Sequence, residues 1–473
     1  MKLNKNASAA VIGKIRVISE EDPKIAALRE IADKKTDDYS ARMIEMSDWI
    51  CANPETGFLE FKANKMITDE LKKYGFEVEI GVPNLVENID VLKTLGGLPS
   101  SYDGPPGIPT AFRAKYKGKT EAPVIGFMVE YDALRSDPPF HGCQHNMQGP
   151  TGLGAAIALA QTMEENNIPG SVWVFGTPAE EVGPESKALM HKAGYFDGVD
   201  FFIRSHGTKE KSERAPSGWG SMSVRQMHYT FHGKVCHAVF PWQGKSALEA
   251  GILFFNGVNS LRHLSEPQFR FHGIFSNGGV APNVIPDLIT VPFWVRYVID
   301  ETKLGNVSPR IAGEMIDAKV EQINNIARSA ALATNCTVDI VMYGTAVPCI
   351  SVGLLNDIAF QYALDYGAQN ISEIKTLNKD VGVSPSYLSY EETGLVSLDI
   401  PGVMVRFNFP GVPQDSFLPH SYESLKIGIS EAGHNSLVLT AKTMQAVGLR
   451  LAMDKEIRKR VVEEYVRVKE KYI

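Results

Sequence analysis

The sequence has few cysteines, no long apolar run and no excess of basic residues. Its five cysteines are odd in number and widely scattered over 473 residues, which argues against a disulfide framework and favours reduced thiols. No apolar run approaches the roughly 20 residues that a transmembrane helix needs. The net charge of −7, without a basic cluster, argues against a nucleic-acid surface. We therefore expect a cytoplasmic protein that binds neither membrane nor nucleic acid.

Common nucleophile and nucleotide motifs are missing as well. The chain has no Gly-x-Ser-x-Gly elbow and no phosphate-binding loop with Gly-Lys-Ser/Thr. The run from Gly152 to Gly154 suggests a dinucleotide fingerprint, but no strand immediately precedes it and Ile157 stands where a small residue belongs. We therefore reject a dinucleotide site there.

Length and hydrophobic periodicity indicate an α/β protein of more than one domain. A chain of 473 residues exceeds the usual limit of a single core. Between residues 222 and 343 the patterns run in the order β-α-β-β-α-β, which is typical of a ferredoxin-like unit. We expect this unit to be inserted into a mixed-sheet domain that is built from residues 1–221 and 344–473. A Gly-, Pro- and Ser-rich surface loop is expected at residues 84–118, enclosing a strand near Thr110 to Tyr116.

Three short apolar runs between residues 123 and 206 end in residues that can bind metal or move protons. The runs are PVIGFMV, SVWVFG and VDFFIRS, and their length and composition predict buried parallel strands. Ligand sites of parallel sheets lie outside the carboxyl ends of the strands. The residues expected at that edge are Asp132, Cys143, His145, Glu180, Glu181 and His206. Together they outline a metal site.

Each of these signals is weak when it stands alone. A Cys-x-His pair is more often a buried cysteine beside a capping histidine, and adjacent acids usually start a solvated helix. Here Glu180 and Glu181 follow a buried strand, where solvated surface is not expected. Adjacent side chains diverge at a strand end, so one can bind a metal while its neighbour faces the substrate water. That division suits metal-assisted hydrolysis with zinc or manganese.

The motifs VEYDAL, FHGCQHN, GTPAEE and RSH, in this order, resemble the amidohydrolase branch of the aminoacylase and carboxypeptidase metallopeptidase family. Within it, the chain is most similar to the p-aminobenzoyl-glutamate hydrolase type. The segments FHGKVCHAVFPWQGKSALEA and LPHSYESLKIGISEAGHNSL resemble the start of the family's lid domain and its C-terminal histidine segment. The resemblance thus covers nearly the whole chain.

The resemblance implies a catalytic domain with an inserted lid that forms a homodimer. One or two divalent ions would be bound by Cys143, His145, Glu181, His206 and His420, with Cys143 serving both ions. Glu180 would be the general base, and Asp132 would orient a ligand histidine. From the lid, His237 would stabilise the oxyanion, within its own subunit or across the dimer interface, and Asn283 and Arg296 would bind substrate.

Purely structural roles stay open for several residues of the lid and the C-terminal segment. His237 can be a histidine that is satisfied locally, and Arg296 can be a strand-edge charge. His434 is as compatible with capping the last long helix as with touching substrate.

The chain departs from the family's motifs at three places. Gln144 replaces the glycine between Cys143 and His145, and we expect ordinary backbone angles there because the residue carries a side chain. Gly207 replaces a proline after His206, and Val-Gly-Pro follows the acidic pair in place of Gly-Gly. These departures put the usual substrate in doubt.

The predicted function is metal-dependent hydrolysis of the amide C–N bond in a small N-acyl or N-aroyl amino acid that resembles p-aminobenzoyl-glutamate. A dipeptidase, a carboxypeptidase or an aryl-amine hydrolase of the same family is the first alternative. A catalytically silent scaffold subunit is the second.

Overall fold

Two β-sheets organise the part of the chain that the computed structural model describes. The described residues are 21–82, 107–120, 122–182, 185–207, 222–298, 309–369, 392–413 and 416–472. The first part of the loop predicted at residues 84–118 lies outside these ranges, whereas residues 107–118 are described and include a strand at Phe112–Tyr116, where one was predicted. The mixed α/β class with an inserted domain is confirmed.

A mixed six-stranded sheet forms the core of the larger domain. Its strands are β1 (Glu77–Ile80), β2 (Phe112–Tyr116), β3 (Val124–Val129), β4 (Ser171–Gly176), β5 (Phe201–His206) and β12 (Gly402–Arg406). The order is β1-β2-β4-β3-β5-β12, with the last four strands parallel and the first two antiparallel. The three apolar runs are thus adjacent parallel strands, as predicted, and all but one of their residues are buried.

Helices cover this sheet and close the domain. They are α1 (Pro23–Ala52), α2 (Phe61–Lys73), α3 (His145–Glu165), α4 (Ser186–Lys192), α7 (Gly353–Asp365), α8 (Gly394–Ser397), α9 (Tyr422–Gly428), α10 (Glu431–Met453) and α11 (Lys455–Tyr472). Helix α1 is continuous from Pro23 to Ala52, and Asp22 caps its first turn by accepting a hydrogen bond from the backbone N–H of Lys24. Helix α3 is buried over most of its length, between the sheet and helices α1 and α10.

The inserted domain has the predicted β-α-β-β-α-β order. It consists of β6 (Met222–His232), α5 (Ala247–His263), β8 (Phe269–Gly273), β10 (Leu288–Val298), α6 (Pro309–Ala333) and β11 (Thr337–Ala346). The antiparallel sheet has the order β11-β6-β10-β8, and a small ladder joins β7 (Cys236–His237) to β9 (Val284–Ile285). Alternate residues of β10 are buried against the helices, so the sheet has a second face that the helices do not cover.

None of the five cysteines forms a disulfide bond. Across the described ranges, we found no helix with the length and apolar character needed to cross a bilayer.

Candidate metal centre

The carboxyl ends of β3, β4 and β5 converge on one cluster of donor atoms. In each of three overlapping groups, one donor atom per residue lies within 4.8 Å of the others. The groups are Cys143–His145–His206, Cys143–Glu181–His420 and His145–Glu180–Glu181. The structure therefore brings together all five residues that the resemblance named as metal ligands, with Glu180 beside them. Cys143, His145 and Glu181 each belong to two of the groups. That Cys143 serves two ions stays a prediction.

Asp132 orients the first histidine. One carboxylate oxygen of Asp132 lies 2.9 Å from His145 Nδ1, and the other accepts the backbone N–H of Glu181 at 2.9 Å. Burial opposes the charged form of His145, but Asp132 outweighs burial and raises the pKa of the imidazole well above its ordinary value. In the metal-free protein this favours the imidazolium. A bound cation would displace the proton from Nε2, while Asp132 would keep the proton on Nδ1.

Glu180 and Glu181 lie in the turn that follows β4, and hydrogen bonds to the buried side chain of Glu60 stabilise this turn. Glu60 accepts the backbone N–H of Ala179 at 2.8 Å and the hydroxyl of Thr110 at 2.7 Å. The turn brings one oxygen of Glu180 and one of Glu181 to 3.7 and 4.0 Å from His145 Nε2. Burial and the charge of Asp132 raise the pKa of Glu60 to about 8. Sequence reasoning did not identify Glu60 as part of the site.

The two remaining histidines of the cluster, His206 and His420, lie far apart in the sequence. His206 ends β5, and its Nδ1 donates to the carbonyl oxygen of Gly207 at 2.9 Å, which leaves Nε2 to coordinate. His420 comes from the C-terminal segment, and its Nε2 lies 3.7 Å from Glu181. A Cβ at Gly142 would lie 2.8 Å from His420 Cα, so only glycine allows the His420 segment to pack this closely against the Cys143 turn.

The backbone of Gln144 corrects one expectation. Ordinary angles were predicted there, and that prediction is wrong, because Gln144 has φ +64° and so lies in the left-handed region. Ala179, which precedes Glu180, and His420 itself also have positive φ, at 63° and 59°. Left-handed non-glycine residues cost about 1 kcal/mol or more each and concentrate where surrounding structure imposes them. Here the tight turns that bring the donor atoms together impose these positive φ values.

A buried network of four charged residues lies behind the cluster. The Glu130 carboxylate is 2.8 Å from Lys187 and 2.8 Å from Arg204, and Lys187 also contacts Glu392 at 2.8 Å. Burial alone would raise the pKa of Glu130, but Arg204 and Lys187 outweigh it and hold the pKa at about 2. The second Glu130 oxygen is 3.5 Å from His145 Nε2. The network therefore fixes a negative charge beside the metal-ligand histidine.

Lys187, Arg204 and Glu392 were not predicted from the sequence to support the site. Arg204 was nevertheless visible as the only cation inside the apolar run VDFFIRS. A cation in a buried parallel strand has to be paired, and the end of the adjacent strand β3, at Glu130, was the nearest acid to consider.

Comparisons with known proteins identify the family of this chain. The peptidase dimerisation domain matches residues 220–334. The Xaa-Arg dipeptidase of Mus musculus is 30% identical over 355 residues, which cover 72% of this chain and 74% of the relative. A p-aminobenzoyl-glutamate hydrolase subunit of Escherichia coli is 30% identical over 63% of this chain and 57% of its own length.

The chain belongs to the aminoacylase and carboxypeptidase metallopeptidase family, the M20 peptidases. It is a hydrolase of amide C–N bonds. The aminobenzoyl-glutamate utilization protein of Klebsiella pneumoniae shares its fold, with a TM-score of 0.61 and 17% identity over 89% of this chain and 99% of that chain. A dinuclear metal binding peptidase of the M20 family from Bacillus subtilis has a TM-score of 0.52 at 18% identity, over 88% of this chain and 99% of that chain.

The donor set of this M20 chain suits divalent ions. Burial raises the pKa of the Cys143 thiol to about 12, so the thiolate that coordination requires would form only with a cation present. The nearby cations Lys187 and Arg204 are already paired with Glu130 and Glu392. The cluster combines carboxylates, a thiol and imidazoles. The side chains of Cys143, His145, Glu180 and Glu181 are only 0–8% exposed. This donor set suits zinc or manganese.

The dimerisation domain places His237 and Asn283 side by side. The backbone N–H of Ala238 donates to the Asn283 carbonyl oxygen at 3.0 Å, and both His237 and Asn283 are exposed. The amide of Val239 donates to His237 Nδ1 at 3.0 Å. Because Nδ1 is the acceptor in neutral His237, the ring proton is on Nε2, where it can be donated to another molecule. Among the described residues, His237 belongs to none of the three donor groups.

Arg296 lies in the middle of β10, not at an outer strand. β6 flanks it on one side and β8 on the other, and its guanidinium lies over the Trp294 ring at 5.0 Å. Both side chains project from the face that the lid helices leave uncovered. Gln226, opposite Trp294 on β6, donates to Glu185 of the catalytic domain at 3.0 Å. Arg296 therefore occupies the sheet face that meets the catalytic domain.

His434 lies in the first turns of α10, where its Nε2 is 3.0 Å from Asp48 of α1. This contact links two helices, and Ser430, not His434, caps α10. Contact of His434 with substrate stays a prediction.

Proposed function

We propose that this chain is a metal-dependent amidohydrolase that cleaves the amide C–N bond of a small N-acyl or N-aroyl amino acid resembling p-aminobenzoyl-glutamate. The observation that carries the proposal is the pair of donor groups that share Cys143, with the carboxylate of Glu180 3.7 Å from His145 Nε2. Cys143, His145, Glu181, His206 and His420 would hold one or two divalent ions. Bound ions would lower the pKa of water and polarise the substrate carbonyl.

The chain's own residues supply the proton transfers. Glu180 takes a proton from the attacking water as the new C–O bond forms, and it delivers that proton to the amide nitrogen as the C–N bond breaks. Glu60 supports this step indirectly. It accepts a hydrogen bond from the Ala179 amide and thereby fixes the turn from which the Glu180 side chain projects. Asp132 keeps His145 in the tautomer that leaves Nε2 for the metal.

Three lid residues would bind the substrate. The Nε2–H of His237 would donate to the oxyanion that develops from the carbonyl oxygen. Arg296 would pair with the terminal carboxylate of the amino acid through its two parallel N–H donors, with Asn283 as a further polar contact. Closure of the lid over the catalytic domain would complete the site and exclude water.

A homodimer through the lid is part of the proposal. The match to a peptidase dimerisation domain supports it, as do large apolar side chains exposed on the lid, among them Trp242 at 74% and Val280 at 92%. Light scattering of the purified protein tests it, and a monomer at micromolar concentration would contradict it. The predicted cytoplasmic location stays a prediction.

A dipeptidase is the second candidate function. The Xaa-Arg dipeptidase relative supports it, since it matches more of this chain than the hydrolase subunit does. Both activities use the same metal centre and the same proton transfers. A panel that contains free dipeptides with C-terminal arginine beside N-aroyl-glutamates separates them.

The deciding experiment is elemental analysis of the purified protein before and after chelation, with Cys143→Ala beside it. We expect one or two equivalents of a divalent metal in the wild-type protein and loss of most of it in the variant, because Cys143 belongs to two donor groups. Hydrolysis of the substrate panel should disappear on chelation and return when metal is added back. An intact, folded protein without metal and without metal-dependent hydrolysis would contradict the proposal and favour the scaffold alternative.

A further inference from the structure

Gln144 occupies a backbone position that favours glycine, and it keeps a long side chain there. The residue lies between two of the proposed metal ligands, has φ +64° and is 1% exposed. Glycine adopts this conformation at no steric cost, whereas a residue with a Cβ is disfavoured in it. A glutamine at this position is therefore expected to make contacts that offset the unfavourable backbone.

The contacts of the Gln144 side chain lead to the C-terminal segment. Its amide nitrogen lies 3.2 Å from the hydroxyl oxygen of Ser424 and 3.4 Å from the Ser424 carbonyl oxygen. A carbonyl oxygen can only accept, so the nitrogen end of the amide faces Ser424. Ser424 is buried in α9, four residues after His420, and 280 residues separate it from Gln144. This contact thus joins the Cys143–His145 turn to the segment that carries the last ligand.

His420 needs such support because its own side chain is 52% exposed. Two further contacts hold its segment against the same turn. The backbone N–H of His420 donates to the Gly142 carbonyl oxygen at 3.1 Å, and the rings of Phe140 and Tyr422 stack with centroids 4.5 Å apart. The contact between Gln144 and Ser424 joins two buried side chains, whereas Tyr422 is 52% exposed.

The oxygen end of the same amide lies against Gly207. A Cβ at position 207 would be 3.2 Å from Gln144 Oε1 and 2.6 Å from the Cys143 carbonyl oxygen. Positions 144 and 207 are two of the places at which the sequence departs from the family's motifs, and the structure puts them in contact. The space beside Gly207 is where the Gln144 amide lies.

We propose that Gln144 is a positioning residue that holds the segment from residue 416 to residue 428, and with it His420, at the metal centre. The inference rests on the proposed function in one respect, that His420 binds metal. The link between Gln144 and the segment does not depend on metal, so it can be tested in metal-free protein.

The test is hydrogen exchange of the metal-free, full-length protein, measured by mass spectrometry for the wild type, Gln144→Gly and Gln144→Met. Gln144→Gly removes the unfavourable backbone conformation together with the side chain. Gln144→Met keeps a side chain of similar size and removes only the amide N–H donor. We expect amides of residues 416–428 to exchange roughly three- to tenfold faster in both variants, the change that loss of one hydrogen bond allows. The rest of the chain should keep its wild-type exchange rates.

Metal binding provides the second measurement. In both variants one ion should dissociate roughly three- to tenfold more readily, because only the Cys143–Glu181–His420 group includes the loosened ligand. The ion of the Cys143–His145–His206 group should be retained. Asn335→Gly, which relieves a left-handed residue in the lid at φ 55°, is the matched backbone control and should change neither measurement.

Three results would overturn the inference. Wild-type exchange of residues 416–428 in Gln144→Met is one, because the effect in Gln144→Gly would then come from backbone flexibility. Equal weakening of both ions is another, since it would indicate general damage to the turn. Unchanged exchange in both variants is the third. Absence of metal from the wild-type protein would instead contradict the proposed function, and the exchange experiment would still decide whether Gln144 holds the segment.

Discussion

The metal centre and the lid differ in how firmly the structure holds their polar residues. At the metal centre, His145, Asp132 and Glu130 are at most 1% exposed, and each is held by hydrogen bonds or ion pairs to other elements. On the lid, His237 and Asn283 are exposed, and the His237 ring accepts a hydrogen bond from a backbone amide two residues along its own loop. The polar residues of the candidate metal centre are therefore already in position before substrate binds.

This difference separates the work of the two regions. Buried, oriented donors bind ions and move protons without rearrangement, which is what the chemical step requires. Exposed donors on an inserted domain can move with that domain and meet the substrate when the lid closes. Variants at the metal centre should therefore change metal content, rate or stability, whereas lid variants should change rate or substrate binding in a protein that keeps its metal and stability.

Glu180→Gln should give the largest effect on rate. The amide cannot accept a proton from water, so kcat should fall by roughly 10²–10⁴-fold, while the metal content stays at the wild-type value. Steady-state kinetics and elemental analysis of the same preparation check this. Glu181→Gln is the matched control, because Glu181 belongs to the group with Cys143 and His420 and its variant should lose metal. Full activity of Glu180→Gln would contradict the assignment of the base.

Lys187→Met should give the largest effect on stability. It leaves the buried Glu130 and Glu392 carboxylates without the lysine that pairs them, and breaking a buried ion pair costs about 3–5 kcal/mol. Denaturant unfolding of metal-free protein measures the loss. The same substitution at Lys34, whose 2.6 Å pair with Asp38 is 75% and 65% exposed, should cost at most about 1 kcal/mol. Equal losses in the two variants would mean that burial of the network does not matter.

The same network predicts an acid limit for the metal-free protein. The pKa of Glu130 is lowered to about 2 in the fold, so its pairing stabilises the fold fully above about pH 4.5, the ordinary range of a glutamate. That contribution is lost as the pH falls from there through about 2. Glu130→Gln should flatten this part of the stability curve. Unfolding free energies at pH 5, 4 and 3 test it, and equal slopes in the two proteins would contradict it.

The sequence predicted the cluster of donor residues better than the buried charges behind it. Each candidate ligand stands at the end of an apolar run or in a recognisable motif, so strand topology and the resemblance together predicted that Cys143, His145 and Glu181 lie at one edge of the sheet. Lys187 and Glu392 have no such signal, because 205 residues separate them and only the folded chain shows that they share one buried space. Long-range pairs of this kind follow from packing and not from local pattern.

Gln144 shows a second limit of sequence reasoning. Its side chain predicted ordinary backbone angles, because intrinsic preference disfavours φ +64° for any residue with a Cβ. The preference was outweighed by the geometry of a turn that must present Cys143 and His145 to one site. Local propensity fails most often where tertiary structure imposes a functional geometry.

His237→Ala should slow catalysis without disturbing the metal centre. Loss of one oxyanion donor costs roughly 10²–10³-fold in kcat, and metal content and thermal stability should remain unchanged because the side chain is exposed. His263→Ala, at an exposed histidine on the same lid, is the control and should be neutral.

Mixing inactive variants shows whether His237 acts across the dimer interface. A mixed dimer of His237→Ala and Glu180→Gln subunits would contain one complete site of two if each lid serves its partner's catalytic domain. Because about half of the dimers in a re-associated 1:1 mixture are mixed, the mixture should then show about a quarter of the wild-type activity. Activity no higher than that of the separate variants would place His237 in its own subunit's site or outside catalysis altogether.

Arg296→Lys should have the smallest effect and one that depends on the substrate. Lysine keeps the positive charge but cannot form the two parallel hydrogen bonds of a guanidinium, so KM should rise about tenfold with little change in kcat. The rise should vanish for a substrate whose terminal carboxylate is replaced by a carboxamide, because the bidentate pair is then absent in both proteins. An equal change with both substrates would assign Arg296 to the packing of its sheet face against Trp294, and the recognition of the substrate carboxylate would have to come from another cation.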